Sequence, residues 1–458
     1  MRDAYQSLIF PDLQLMLQEG DRHGLAEFCE VVHPVKLAEM LEDLETNQVW
    51  TVLDQAELEL RVEIFENISL RRQAELVETL DSGRLSELLE QMSSDDRVDL
   101  LTRIPQERRE DILRLIAKAE RNDIRRLLSY DEWSAGAIMT TEYASLPANI
   151  TVRDAIERLR LQAPNSETIY YVYILDDNRH LEGLISLREL ILAKPETLLA
   201  EIMQRDVVRM RVSDEREAVA QELARYNFLA VPIVDDDDRL VGIVTHDDAL
   251  DVVQEEATED AYLQGGVQPL EDAYEETPIL TILWKRGIWL VFLSIMALAN
   301  ARVLDHYTGS AGELTALILM FLPLVMASGG NTGSQSATLF IRMIALQPAD
   351  SGNQSLLREH RDVITREIWV ALLLGALLAA IDTVFTLFWF GRSWQEAAVI
   401  GGTVVSVVVL GTSFGAVLPL ILQRLGLDPA IMSNALIASI LDILAVTIFF
   451  QIAIYTLS

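Results

Sequence analysis

PAIMSNALIASILDILAVTIFFQIAIYT, residues Pro429 to Thr456, is an apolar run with one carboxylate, Asp442, near its middle. At about 1.5 Å per residue, a helix of this length crosses a hydrocarbon core of roughly 30 Å. A carboxylate at that depth costs at least roughly 2.5–3.5 kcal/mol, so it needs water, an ion or a partner. Asn434 and Ala438 precede it by eight and four residues, which puts all three on one helical stripe. A small residue between two oxygen-bearing side chains describes the wall of a wet path. Asp428 stands at the mouth of that path, just before Pro429.

Four more apolar runs precede this one, at about Gly287–Val303, Glu313–Leu346, Ile368–Phe390 and Ala397–Leu422. Together they predict an all-α membrane domain of five spans over residues 283–458, partnered by the lipid bilayer. Trp284, Lys285, Arg286 and Trp289 form an interfacial anchor at its start. The second run is the longest, with SGGNTGSQS (Ser328–Ser336) at its centre. As one helix it would be about 51 Å long, well beyond the core. Its glycines and hydroxyls predict a kinked helix whose carbonyls near Gly329 and Gly330 line a pore. A small-residue packing face is the other reading of the same residues. Asp382, deep in the third of these runs, is a rival buried carboxylate without a flanking polar stripe. With the N-terminus inside, Lys285, Arg286, Arg342, Arg358, Arg361, Arg366 and Arg424 lie on the inner side, against Arg302 and Arg392 outside. That asymmetry places the N-terminus in the cytoplasm and the C-terminus outside.

The rest of the chain is different in kind. Of 37 basic and 70 acidic residues, only 9 and 10 fall after Leu280, which leaves 28 and 60 before it. So acidic a front repels nucleic acid and anionic lipid and suits a hard cation. One cysteine, Cys29, rules out an internal disulfide, and six scattered histidines lack zinc-ligand spacing. MRDAYQSLIFPDLQ lacks the apolar core of a signal peptide, so the front half is expected to stay cytoplasmic. No nucleophile–base pair or phosphate loop points to an enzyme.

Residues 1–132 read as helices. Phe65–Leu80 (FENISLRRQAELVETL) aligns with Leu89–Ile104 (LEQMSSDDRVDLLTRI) at an offset of 24, apolar on apolar, with Glu75 against Asp99. A repeat of that length predicts an α-helical solenoid. A second repeat follows. Ile138-Met139 matches Ile202-Met203, and Gly183 matches Gly242, at offsets that differ because Ala163–Glu167 is inserted in the first copy. Each copy reads strand, helix, strand, turn, strand, helix. This α+β order resembles a tandem pair of CBS domains, assigned to 133–200 and 201–255. Asp247, Asp248, Asp251, Glu255, Glu256, Glu259 and Asp260 then crowd into about four helical turns, leading into a connecting helix assigned to 256–282. Like charges at that spacing repel, and cations would relieve them.

A single Asp442 is too little for a dehydrated cation. Two chains about a two-fold axis would supply a pair of carboxylates. Mg²⁺, which keeps its water and uses one or two carboxylates, suits that arrangement better than Ca²⁺ or a soft metal. Across its whole length the chain resembles the MgtE family of bacterial Mg²⁺ channels. The motifs PLVMASGGNTGSQSATLFIR (Pro323–Arg342), DPAIMSNALIASILD (Asp428–Asp442) and EATED (Glu256–Asp260) carry the likeness. The resemblance implies a homodimer in the bacterial inner membrane with its pore on the dimer axis. It places Asp442 as the pore carboxylate, with Asn434 and Ala438 on the same wall. It makes Glu63, Asp95, Asp99, Glu215, Glu217, Asp248, Asp251, Glu256, Glu259, Asp260 and Asp428 sensors of cytoplasmic Mg²⁺. Asn227 stands where a sensor Asp is expected. It also implies a nucleotide site for ATP at Tyr171, Arg188, Glu189, Phe228 and Pro232, with Glu189 in place of the usual Asp. The expected function is Mg²⁺ uptake, closed when cytoplasmic Mg²⁺ binds the sensor carboxylates. A proton- or ion-coupled divalent-cation transporter and a non-conducting Mg²⁺ sensor remain as alternatives.

Overall fold

The structure is a computed structural model that describes every residue except 1–3, 115, 117, 271–273, 275–276, 312–313, 346–360, 426, 432–433 and 458. Glu313 and Leu346, which bound the second apolar run, and Arg358 of the charge count lie outside the described residues. The chain forms two compact units, Met1–Val253 and Gln254–Ser458.

The first unit opens with ten helices: α1 (Ala4–Glu19), α2 (Arg22–Val31), α3 (Pro34–Leu41), α4 (Thr46–Leu53), α5 (Leu58–Glu66), α6 (Leu70–Glu78), α7 (Ser82–Gln91), α8 (Ser94–Arg103), α9 (Gln106–Leu113) and α10 (Lys118–Leu127). The structural unit is a single helix with its corner, half the period read from the sequence. Val32, Leu44, Ala56, Ile68, Leu80, Met92, Ile104 and Ile116 stand at every twelfth position and all are buried. The residue after each of the first seven caps a helix: His33, Glu45, Glu57, Ser69, Asp81, Ser93 and Pro105. Carbonyls at these tight corners have no partner within their helix and need a donor. At five corners a side chain one turn or so further on supplies it, and at Leu44 the donor is Arg72. Arg61 donates to Ala56 at 3.1 Å, Gln73 to Ile68 at 2.7 Å, Arg97 to Met92 at 2.5 Å, Arg109 to Ile104 at 3.2 Å and Arg121 to Ile116 at 3.0 Å. Each helix packs on the one after next, α3 on α5, α5 on α7, α6 on α8 and α7 on α9, as a solenoid requires.

Two three-stranded sheets complete this unit. β1 (Tyr143–Leu146), β2 (Thr168–Leu175) and β3 (Leu181–Ser186) form one sheet, with α11 (Val152–Gln162) between its first strands and α12 (Leu187–Leu192) and α13 (Leu199–Ile202) after it. β4 (Met210–Arg211), β5 (Ala230–Val234) and β6 (Leu240–Thr245) form the other, with α14 (Arg216–Tyr226) and α15 (His246–Gln264). In both, the first pair is parallel and the second antiparallel. The insertion in the first copy is a 3₁₀ turn at Ala163–Asn165. Gly183 and Gly242 occupy the same register, opposite Ile174 and Ile233. A Cβ on Gly183 would lie 2.9 Å from the sulfur of Met203, and one on Gly242 would lie 2.7 Å from that of Met139. Each copy therefore inserts its leading methionine against the other's glycine, which explains why the Met and Gly matches recur together. Asn227 ends α14 in the left-handed conformation at φ 54, which Asn accepts more readily than most residues.

α15 ends at Gln264, short of the 282 expected for the connecting helix. Gly266 adopts φ 69, and the Val267 N–H returns to the Tyr262 carbonyl at 2.9 Å. That pattern closes a helix C-terminus.

The second unit carries five helices long and apolar enough to span a membrane: α16 (Ile279–Ala311), α17 (Leu314–Ala345), α18 (Arg361–Phe388), α19 (Trp394–Arg424) and α20 (Asn434–Leu457). The first is longer than the expected Gly287–Val303 at both ends. α17 stays helical through the glycine-rich centre, with Pro323 inside it, and the glycines there serve the packing-face reading. The physical reason is packing. A Cβ on Gly329 would enter the Val407 side chain, and one on Gly333 would enter that of Leu441. Gly411 sits so close that its Cβ would lie 2.6 Å from the Gly329 carbonyl oxygen. Small residues let α17 sink onto α19 and α20, where lipid offers no hydrophobic drive and close contact stabilises association. The hydroxyls bond within the helix: Ser328 donates to the Leu324 carbonyl and Thr332 to that of Ser328, both at 2.8 Å.

Candidate functional site

The membrane stripe forms as the spacing predicts. Asn434 begins α20, Ala438 follows one turn later, and Asp442 one turn after that. α17 faces this stripe through its small residues. Gly330 packs on Ala438, where its Cβ would stand 3.4 Å from the alanine Cβ. Ser334 donates to the Asn434 carbonyl at 3.1 Å and Thr338 to the Asn434 side-chain oxygen at 3.5 Å. Gly329 turns instead toward Val407 and Gly411 of α19, and its carbonyl accepts from Thr332 at 3.1 Å. Gly330 thus joins the stripe and Gly329 does not. Asp442 is half-buried, and among the described residues it makes no ion pair.

At the mouth of the stripe, Asp428 accepts from the Ala430 N–H at 2.8 Å and so holds the turn Pro429–Ile431. Leu263 of α15 packs with Ile341 of α17 and Ala430. This contact brings Asp260 and Glu256 near Asp428. Burial, then the charges of Asp428 and Glu256, push Asp260 up to about 6, with Arg342 opposing. Glu259 lies on the same helix, one residue before Asp260.

A second gathering of carboxylates lies within the first unit. Ser94 at the start of α8 meets Thr140 at 3.0 Å and accepts from Thr141 N–H at 2.9 Å, which docks the solenoid on the sheet pair. Arg97 approaches Glu142 at 3.8 Å across the same contact. Docking crowds Asp95, Asp96 and Glu66 of the solenoid against Glu167, Asp247, Asp248 and Asp251. Burial, then Asp96, pushes Glu66 up to about 8, although Ser93 N–H donates to it at 3.0 Å. Burial, then Asp95, pushes Glu167 and Asp248 up to about 8. Asp248 also accepts from the Thr245 hydroxyl. Asp96 rises to about 6 through burial and Asp95, while burial also raises Asp95 and Asp251. One oxygen of Asp95 is shut off from solvent with no hydrogen-bond partner.

Of the expected sensors, Asp95, Asp248 and Asp251 meet in this cluster. Glu63 and Asp99 lie exposed on α5 and α8, Glu215 caps α14, and Glu217 accepts from Gln221 at 3.0 Å. Glu66, Asp96, Glu142, Glu167 and Asp247 join Asp95, Asp248 and Asp251, brought from separate elements whose meeting no sequence spacing signals. Glu167 closes the insertion that the repeat offsets revealed, which was its one available signal. Among the described residues, no group of three or more His, Cys, Asp or Glu is already arranged as a metal cage. The unpartnered Asp95 oxygen and the crowded hard oxygen donors nevertheless suit a hydrated divalent cation.

Of the expected nucleotide residues, two meet directly. Tyr171 and Phe228, one from each copy, meet edge to face at 6.4 Å, and Tyr226 stacks on Phe228 at 5.3 Å. Tyr171 pairs with Ser186, one turn from Arg188 and Glu189. Glu189 already accepts from the Ser186 hydroxyl at 2.7 Å. Pro232 is buried in β5 opposite Ile243.

Family models match in the same order along the chain: an MgtE intracellular N domain at residues 32–133, CBS domains at 135–196 and 199–255, and a divalent cation transporter at 322–452. The magnesium transporter MgtE of Thermus thermophilus is 40% identical over 324 residues, covering 71% of this chain and 70% of its own. That of Enterococcus faecalis is 37% identical, with the same coverage. A crystal structure of the cytosolic domain of the Mg²⁺ channel MgtE in complex with ATP aligns at TM-score 0.51 and 39% identity, over 53% of this chain and 99% of that one. The soluble part of a magnesium transporter aligns equally well, at 34% identity over 55% and 99%. With solenoid, paired CBS domains and five spans in this order, the chain belongs to the MgtE family of magnesium transporters.

Proposed function

We propose that two copies of this chain conduct Mg²⁺ into the cytoplasm along the Asn434–Ala438–Asp442 stripe. The observation that carries the reading is Asp442, a membrane-depth carboxylate on a polar stripe with no ion-pair partner among the described residues. Such a charge is tolerated where water and a counter-ion reach it. A symmetric pair of these carboxylates attracts a divalent ion, while Asn434 and the small Ala438 leave room for its bound water.

The cytoplasmic carboxylates close this path. When docked, Asp95, Asp96, Glu66, Glu167 and Asp248 must either repel one another as anions or hold protons at a cost, so the docked form is costly without counter-charge. Asp260, Glu256 and Asp428 face the same cost at the inner mouth. Regulatory Mg²⁺ supplies that counter-charge, and these side chains would hold it. A ligand that binds only the docked form favours it by RT ln(1 + [Mg²⁺]/Kd) per site, so several weak sites add up to a switch. Tyr171 and Phe228, with Arg188 and Glu189 nearby, supply a place for the base and ribose of ATP. The N-terminus and sensors lie in the cytoplasm and the C-terminus outside.

Reconstitution of the full chain in liposomes tests this reading. Mg²⁺ should enter down its own gradient, slow as Mg²⁺ rises on the sensor side, and ignore an imposed proton gradient. At the same time the cytoplasmic half should become protease-resistant. Uptake driven by protons would favour the coupled transporter, and protection unchanged by Mg²⁺ would remove the feedback gate.

A further inference from the structure

We propose that Asp382, with Thr386 one turn further along α18, is a proton-binding site inside the membrane domain, separate from the Asp442 stripe. Ala371, Gly375 and Thr386 are the buried residues of α18, and Asp382 continues their face, seven residues after Gly375 and four before Thr386. This face meets α19 at close range. A Cβ on Gly375 would stand 3.2 Å from Val405 Cα, and one on Gly401 would stand 2.9 Å from the Thr383 hydroxyl. Oδ2 of Asp382 and Oγ1 of Thr386 are both closed to solvent, and neither has a hydrogen-bond partner among the described residues.

No cationic side chain of these helices neutralises a carboxylate there, and Arg392 in the turn after α18, whose backbone N–H donates to the Thr386 carbonyl at 3.1 Å, turns its guanidinium to Glu396 at 3.6 Å and to the Met320 sulfur. Asp382 is the one ionisable residue in α18 beyond Glu367; α19 has none between Glu396 and Arg424, and α17 only Arg342 at its end. A dehydrated metal ion is excluded by donor count. The helix keeps its own carbonyls bonded, which leaves the Asp382, Thr383 and Thr386 side chains, too few oxygens for a dehydrated ion. A proton needs one oxygen. It arrives from bulk water and returns there, and the acid O–H it creates gains a donor that Thr386 or a carbonyl can accept. Neutral Asp382 lets α18 seat on α19, and the ionised form draws water into the seam.

Infrared difference spectra of the full chain, wild type minus Asp382→Asn, test this at neutral pH. The expected result is loss of one carboxylic-acid C=O band, unchanged when Na⁺ replaces K⁺. Loss of carboxylate bands instead, or a shift on Na⁺ exchange, would overturn the assignment. Should the variant fail to assemble, dicyclohexylcarbodiimide on the wild type decides, since it attacks the acid and not the carboxylate. An Asp382 adduct that declines as pH rises supports the site; an adduct confined to other residues, or none, overturns it.

Discussion

Replacing Glu66 by Gln isolates the charge that the docked solenoid must suppress. The amide keeps the shape and still offers an oxygen to Ser93 N–H, the 3.0 Å bond of the wild type. Burial and Asp96 hold Glu66 at about 8 against an ordinary 4.5, so at neutral pH the docked form keeps a proton that the unfolded chain releases. Holding it costs about 1.4 kcal/mol per unit between 4.5 and neutrality, an upper limit of about 3.5 kcal/mol. Solvent screening and shared charge with Asp96 and Glu167 reduce this to about 1–2 kcal/mol. The sign follows from linkage. Between about 4.5 and about 8 the folded form binds more protons than the unfolded, so wild-type stability falls as pH rises through that window and levels above it. Metal-free Glu66→Gln should therefore be more stable at neutral pH by about 1–2 kcal/mol, raising Tm by roughly 2–8 °C. Its pH slope should be shallower, and Mg²⁺ should add less further stability. Thermal unfolding of the full chain in detergent, with and without Mg²⁺, measures all three. A metal-free variant less stable than wild type, or one with an unchanged pH slope, refutes the charge argument.

Two further substitutions probe the other elements. Gly333→Leu forces a side chain into Leu441 at the α17–α20 seam, and overpacking of this kind costs about 1–3 kcal/mol or more. The membrane domain should lose thermal stability in detergent, and a silent variant would contradict the seam. Tyr171→Ala removes one wall of the base site, and stacking on one aromatic ring contributes about 1–3 kcal/mol. ATP affinity measured by calorimetry should fall roughly tenfold or more, and unchanged affinity would move the nucleotide elsewhere.

Much of this fold is legible in the chain because it is written in periods. Five apolar runs, a repeat with matched Met and Gly positions, and buried residues at regular spacing each report a local rule. The solenoid shows the limit of such reading. Its structural unit is a single helix, but the corner donors Arg61, Gln73, Arg97, Arg109 and Arg121 recur every twelve residues with a gap at Leu85, which blurs the shorter period. The centre of α17 is ambiguous for a different reason. Gly329, Gly330 and Gly333 read equally as a kink or as a packing face, and the facing Val407, Ala438 and Leu441 are what identify them as contact points. Asp442 is legible because hydrocarbon makes any carboxylate conspicuous. Glu66 and Glu167 are not, because they belong to different domains and each alone is an ordinary surface acid. Their meeting depends on how Ser94 seats against Thr140, which no spacing records.

Mg²⁺ uptake into liposomes carrying wild type or Asp442→Ala decides whether ions pass along this stripe. The alanine variant should fall to the level of protein-free vesicles while its cytoplasmic half still gains protease resistance with Mg²⁺. Undiminished uptake by that variant would contradict the proposed path.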